Sequence, residues 1–467
     1  MRPKQIMLML AYLFILGCLT ACGGKSDAPT TGTPAPEARV AGNDPNKLVI
    51  VSPHDEAIKH ELTPVFKTWY AKQYPGKPLP EIEWQDRGGS VEINKYLMSA
   101  YSALGDNKSQ GIGIDLYFGG GTPAHAQLKA KGLSAPVQLD PAIMQAIPAQ
   151  LAGVNLRDPD NCWFGVVLSS FGIIYNKPGL KAKSLPEPTT WADLANPNYY
   201  NTLILADPAK SGSARVCYDV ILQKHGWEQG WGLLMQIAGN TREFATGSSA
   251  VPREVAQGSA LAGMCVDYYA YSQIAKTGAD VLGYVSPANA TAVTPDPIGM
   301  LAGAPHPELA KAFISFTLSS ACQDLFGLKM GAPGGPAKDN LFRMPILPEF
   351  YKHDASTTLV TSNPYSSTTS FNVNEKQSDQ RAPIIGPLFT AGFLSNKAAL
   401  QQAWQTVNSH PQQPELKTKF IATPFTEPQS IELTTRYTSS PREAIGLDRT
   451  WQEAFKARYE EIQRTAK

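Results

Sequence analysis

Between Leu48 and Gly121 the chain alternates short apolar β-prone runs, polar or glycine-bearing loops and amphipathic helices, an order that few folds accept. Leu48-Val49-Ile50-Val51 reads as a buried strand, followed by Ser52-Pro53-His54-Asp55-Glu56. Ile58, Leu62, Val65, Phe66 and Trp69 then recur at helical spacing, with Pro64 expected to kink or break the helix. Ile82-Glu83-Trp84 is a second strand running into Asp86-Arg87-Gly88-Gly89-Ser90, and Ile93, Leu97, Ala100, Tyr101 and Leu104 mark the next helix. Ile112 to Phe118 is a third strand, ending in Gly119-Gly120-Gly121. Such alternation builds an α/β sheet with right-handed crossovers.

A second block repeats the theme. Trp163 to Tyr175 is apolar and β-prone, Leu203 to Ala206 is a strand, Ser211-Gly212-Ser213 opens a helix, and Ala260 to Val266 is another strand. Ser249 caps a short helix whose Pro252 suits the first turn. After about residue 285 the first composition returns, with a helix bearing Leu309, Phe313 and Phe316. The chain is therefore expected to visit lobe one (47–165), lobe two (166–285) and lobe one again (286–345). Residues 345–440 are richer in Ser, Thr, Pro and Asn and poorer in periodicity, and 346–467 are expected as an extension packed on lobe one that ends in a helix with Trp451, Phe455, Tyr459 and Ile462 on one face.

The start of the chain resembles a bacterial export signal, residues 1–21. Arg2 and Lys4 precede an apolar run, Ile6 to Leu19, that is too short for a stable membrane span. Leu19-Thr20-Ala21-Cys22 resembles a lipobox, which implies lipidation of Cys22; an ordinary cleaved signal is the alternative. Residues 22–46, Gly-, Pro-, Thr- and Ala-rich, then form a flexible tether, reaching about 25–30 Å by random-coil scaling. The expected location is the cell envelope or periplasm, anchored through Cys22. Cys162, Cys217, Cys265 and Cys322 remain, with wide spacings that match no zinc pattern. One or two disulfides are open to them, as is burial as small hydrophobes, the preferred reading for Cys265.

Charge narrows the function. Lys and Arg total 41 against 40 Asp and Glu, so the concentrated basic excess that nucleic-acid binding needs is missing. No GxSxG, HExxH or GxxxxGK[ST] motif occurs, and the 7 histidines are scattered. His54, Asp55 and Glu56 diverge at a helix start, while His125, His225, His306, His353 and His410 are expected at the surface or as caps. Neither an enzyme nor a signalling module is indicated.

The loops, in contrast, suit a ligand. Ser211-Gly212-Ser213 lies between a strand and a helix, so free N–H groups and two hydroxyls converge where an anion can bind. Gly88-Gly89-Ser90, beside Arg87, repeats the arrangement in lobe one, and Gly119-Gly120-Gly121 permits close backbone approach. Any one of them alone is more commonly a capped turn; all three stand at expected carboxyl ends of strands.

Over residues 47–330 the chain resembles the solute-binding proteins of ABC importers, in particular the ferric-ion-binding type and its relatives. The resemblance is carried by Ser169-Ser170-Phe171-Gly172-Ile173-Ile174-Tyr175-Asn176, Pro188-Thr189-Thr190-Trp191-Ala192-Asp193-Leu194, Asp207-Pro208, Val255-Ala256-Gln257-Gly258, Tyr268-Tyr269 and His306-Pro307-Glu308-Leu309-Ala310. It implies a type II periplasmic-binding-protein-like α/β fold, two lobes hinged about a ligand cleft. It also implies a permease and its ATPase as partners, no catalytic cofactor, and a monomer. In ferric-binding relatives an imidazole and two neighbouring tyrosines hold the metal, which makes His54, Tyr268 and Tyr269 the implied donors for a transported Fe3+. The carboxylate those relatives supply near the third strand is replaced here by Tyr117-Phe118-Gly119-Gly120-Gly121, so Asp267 or a co-bound anion at Ser211 to Ser213 has to balance the charge. The alternative is an aromatic-lined cleft for an anionic or organic solute such as a phosphonate or a polyamine.

Overall fold

The computed structural model describes residues 44–360, 362–366 and 371–466; the expected signal, Cys22 and most of the tether lie outside them. In lobe one, β1 (Lys47–Val51) pairs in parallel with β2 (Glu81–Gln85) and β3 (Leu116–Phe118), and the crossovers are α1 (Glu56–Gln73) and α2 (Ser90–Ala103). α1 runs on as one helix through Pro64, so no break occurs there. After β3 comes α3 (Thr122–Ala130), and then the 13-residue β4 (Phe164–Asn176), of which only Ser170 is not buried. Such a continuous apolar run suits a strand covered on both faces.

Lobe two is built from β5 (Leu203–Ala206), α4 (Gly212–His225), α5 (Trp227–Gly239), β6 (Thr241–Ala245), β7 (Ala262–Val266), α6 (Asp267–Thr277) and β8 (Leu282–Val285). The chain returns along β9 (Val293–Leu301) to α7 (Pro307–Thr317) and α8 (Ser320–Gly327). The strand order is β2-β1-β3-β9-β4-β7-β5-β6, with β8 also on β4. β4 joins the lobes by changing partners: Phe164 to Ser170 pairs with β9, and Phe171 to Tyr175 with β7.

Lobe one packs around Leu62, Phe66, Phe164, Phe313 and Phe316, with Phe66 edge-on to Phe313 at 4.9 Å. The helices after residue 370 are α9 (Glu375–Phe389), α10 (Lys397–Ser409), α11 (Pro414–Ile421), α12 (Glu427–Ser439) and α13 (Pro441–Thr465). They correct the expected extension twice. The Ser-, Thr- and Pro-rich composition hid α9 to α12, because Pro414 and Pro428 stand in first turns, where proline costs nothing, although Pro383 and Pro387 do sit inside α9; α13 is the expected final helix. And they pack on lobe two: Trp404, Phe420, Trp451 and Tyr459 share one core with Trp227, Leu234 and Ile237. The segment up to Tyr365 stays with lobe one, where Ile346 and Leu347 are buried and Val360 and Tyr365 pack against the same core. Helical periodicity reports that a face is apolar without naming its partner.

All four described cysteines are buried free thiols. Among the described residues no helix is long and apolar enough to cross a membrane.

Trp404 tests the role of the extension. It is buried, donates Nε1–H to Asn240 Oδ1 at 2.7 Å and stacks on Phe420 at 5.1 Å. Trp404→Ala is expected to cost about 3–5 kcal/mol, read as a lower urea midpoint with lobe two unfolding first; an unchanged midpoint contradicts an integral extension.

Candidate functional site

A cavity of about 500 Å³ lies between the lobes, walled by Pro53 and His54 after β1, Gly88 to Ser90 after β2, Gly120 and Gly121 after β3, Lys210 to Ser213 after β5, Thr246 to Ser249 after β6, and Tyr268 and Tyr269 after β7. Ligands of open α/β sheets bind at such carboxyl ends. Ser90, Gly120, Ser211, Gly212 and Ser213 are thus brought together as expected: a Cβ on Gly212 would lie 3.0 Å from Ser90 Oγ and 3.8 Å from Gly120 O. Gly120, at φ +87°, has to be glycine, because a Cβ there would collide with the Tyr117 phenol oxygen at 1.8 Å.

The two facing helix starts differ in charge. Ser211 caps α4, its Oγ accepting from Ala214 N–H at 3.3 Å, and no acidic residue lies in the first turn. Ser211 and Ser248 hydroxyls are 2.6 Å apart, Ser213 and Ser248 2.9 Å, and Ser211 and Ser213 3.2 Å, so three hydroxyls form a ring at a positive helix end. Ser248 escaped the sequence reading because it comes from a separate loop. Lys210 and Arg215 also face the cavity, and among the described residues neither side chain makes a hydrogen bond or ion pair. In lobe one, Gly89 caps α2 with no side chain, and Glu92 supplies a carboxylate whose Oε2 would lie 2.9 Å from a Cβ on Gly89. Asp86 accepts from Gly88 N–H at 2.8 Å. Two acids answer that end, so the expected symmetry of anion sites is absent. Arg87 turns to Gln85 and lies over Tyr96 at 4.6 Å.

Gly119 is not on the cavity wall: its N–H donates to Pro297 O at 2.8 Å and its carbonyl accepts from His125 Nε2 at 2.9 Å. His125 is buried and stacked on Tyr117 at 4.7 Å, with its pKa lowered by burial to about 4, which corrects its expected surface position. Asp267 is likewise off the wall. Its carboxylate accepts from Ser170 N–H at 2.8 Å and Ser170 Oγ at 3.0 Å, and from Tyr268 N–H at 2.7 Å, clamping the start of α6 to the point where β4 changes sheets.

The implied metal donors converge on the cavity, but they do not fit a ferric centre. His54 Nε2 is 2.8 Å from Asp296 Oδ2 and its Nδ1 is 3.0 Å from Ser52 Oγ, so both imidazole nitrogens are engaged. Arg343 Nη2 donates to the same Asp296 oxygen at 2.6 Å, and its guanidinium lies 4.0 Å from the Tyr268 ring centre. Tyr268 and Tyr269 stand 4.3 Å apart, and burial raises both phenols above their ordinary pKa, opposing phenolate formation. A buried cation at that distance opposes a tripositive ion further. Asp296 does supply a carboxylate, from β9 instead of the third strand, but despite its burial Arg343 and then His54 hold it ionised well below the usual carboxylate range. Sequence patterns contain no signal for Asp296 or Arg343, which are distant in the chain.

The family model for bacterial extracellular solute-binding proteins matches residues 111–350. The chain belongs to that family. The phosphoglycerate transport regulatory protein PgtC of Salmonella typhimurium is 24% identical over 271 residues, 57% of this chain and 63% of that protein, so the match spans less than two thirds of that relative. The fold is shared with AfuA of Actinobacillus pleuropneumoniae, solved with fructose-6-phosphate (17% identity, 69% of this chain and 94% of that one, TM-score 0.54). It is shared equally with iron-bound HitA of Pseudomonas aeruginosa (16% identity, 73% and 98%, TM-score 0.54). The type II two-lobe binding-protein fold is as expected.

The Asp267 clamp has a pH signature. Burial raises its pKa to about 6, although Ser170 and Arg343 pull it down. Between about pH 4 and 6 the folded state holds the proton that the unfolded chain releases, so this group's contribution to stability falls as pH rises. Relative to Asp267→Asn, the wild type is expected to lose up to about 3 kcal/mol between pH 4 and 7, read from urea midpoints. A pH-independent difference contradicts this.

Proposed function

We propose that this protein is the receptor of an ABC importer, held to a membrane through Cys22, and that its solute is a small phosphorylated organic anion delivered to a permease and its ATPase. The observation that carries the reading is the acid-free start of α4, ringed by the Ser211, Ser213 and Ser248 hydroxyls and flanked by Lys210. Unsatisfied N–H groups, hydroxyl donors and a nearby ammonium suit a phosphate dianion. Tyr268 and Tyr269 give the organic part an aromatic wall. The names of PgtC and of sugar-phosphate-bound AfuA point the same way. Contacts from both lobes supply the free energy of closure, and Gly212 facing Ser90 is where they meet. Ferric iron, which the resemblance implies, is the weaker reading because the imidazole is engaged and Arg343 stands on the tyrosines.

Calorimetry with glycerol 3-phosphate, fructose 6-phosphate and ferric citrate tests this. Ser211→Ala with Ser213→Ala is expected to weaken phosphoester binding about 10- to 100-fold, the loss of charge-assisted hydrogen bonds. A wild-type protein that ignores phosphoesters and develops a visible phenolate-to-metal band with ferric citrate overturns the proposal.

A further inference from the structure

We propose that Arg215 is a second anion-recognising residue of the cleft, and that the solute therefore carries a carboxylate a short carbon chain away from its phosphate. This rests on the phosphate reading of the same cleft. Arg215 stands four residues after Ser211 on α4, on the same helix face and about 6 Å further along the axis. A second cationic group therefore lines the same cleft as the start of α4, where it can meet a second anionic group of the solute.

The side chain is partly buried and lines both the cleft and a neighbouring chamber of about 440 Å³, which shares Gly121, Pro123, Val216 and Thr294 with it. Among the described residues its guanidinium has no hydrogen bond and no ion pair. The acids that act on it from a distance are Asp219 and Asp379. Asp219 turns one oxygen to other groups, its Oδ2 accepting from Ser378 Oγ and from Gln223 Nε2 at 2.8 Å; its Oδ1 has no hydrogen bond among the described residues and stands 3.5 Å from Arg381 Nε. Asp379, on α9, makes no bond to Arg215. Burial disfavours the charge on Arg215, so an unpaired guanidinium here burdens the folded protein until a ligand answers it. A planar fork of donors answers best to a carboxylate, and Arg is chosen over Lys where that bidentate match matters.

The experiment compares 3-phosphoglycerate with glycerol 3-phosphate, which keeps the three-carbon phosphoester and lacks the carboxylate, by calorimetry on the full chain and on Arg215→Gln. The wild type is expected to bind 3-phosphoglycerate at least about tenfold more tightly, and Arg215→Gln to bring that ratio within about twofold. Because the guanidinium has no protein partner, the variant is expected to melt no lower than the wild type. Equal binding of both compounds by the wild type, a preference that survives in Arg215→Gln, or a variant that melts several degrees lower overturns the assignment while leaving the phosphate reading standing. Failure of both compounds to bind the wild type overturns the phosphate reading, and this inference with it.

Discussion

The molecule depends on one strand that belongs to two sheets. β4 exchanges β9 for β7 between Ser170 and Phe171, and the cleft opens beside that exchange. A strand buried along nearly its whole length cannot slip by one residue without turning every side chain to the opposite face, so the junction has a fixed register. The Asp267 carboxylate pins it by accepting from Ser170 and Tyr268, which sets where the tyrosine pair begins. The hinge and the aromatic wall of the site are thus one construction.

On that frame the cleft gains its character from unequal electrostatics. The start of α2 is answered by Glu92 and Asp86, and the start of α4 is left to three hydroxyls. Asp296, the acid on β9 that lines the cavity, is neutralised by Arg343 and bonded to His54, so it does not repel an anion as a free carboxylate would. The Asp296 carboxylate is thus paired within the protein, while the start of α4 carries no acid of its own. Fold likeness alone does not choose between guests, since fructose-6-phosphate-bound AfuA and iron-bound HitA share this architecture at equal TM-scores.

Helix α9 extends the same logic beyond the part of the chain that the family model matches. It contributes Glu375, Ser378 and Asp379 to the chamber beside the cleft, and Ser378 donates to the Asp219 carboxylate there. The extension therefore covers lobe two and also forms part of the chamber that Arg215 lines.

The amino-acid sequence by itself determined the elements and their alternation: β1, β5 and the loops Gly88 to Ser90 and Ser211 to Ser213 are legible because hydrophobic period and glycine-serine chemistry are local properties. The resemblance to ferric-binding relatives, rather than any local pattern, implied that His54, Tyr268 and Tyr269 meet, and all three line the cavity. Only the tertiary structure decided what those groups are free to do. Asp296 reaches His54 across 242 positions of sequence and Arg343 reaches Asp296 across 47, and no local pattern encodes such pairings. Whether an imidazole is a ligand or a hydrogen-bond partner, and whether a helix start is bare or answered, depends on which side chains the fold brings alongside it. That is a matter of three-dimensional packing and charge, which sequence spacing does not contain.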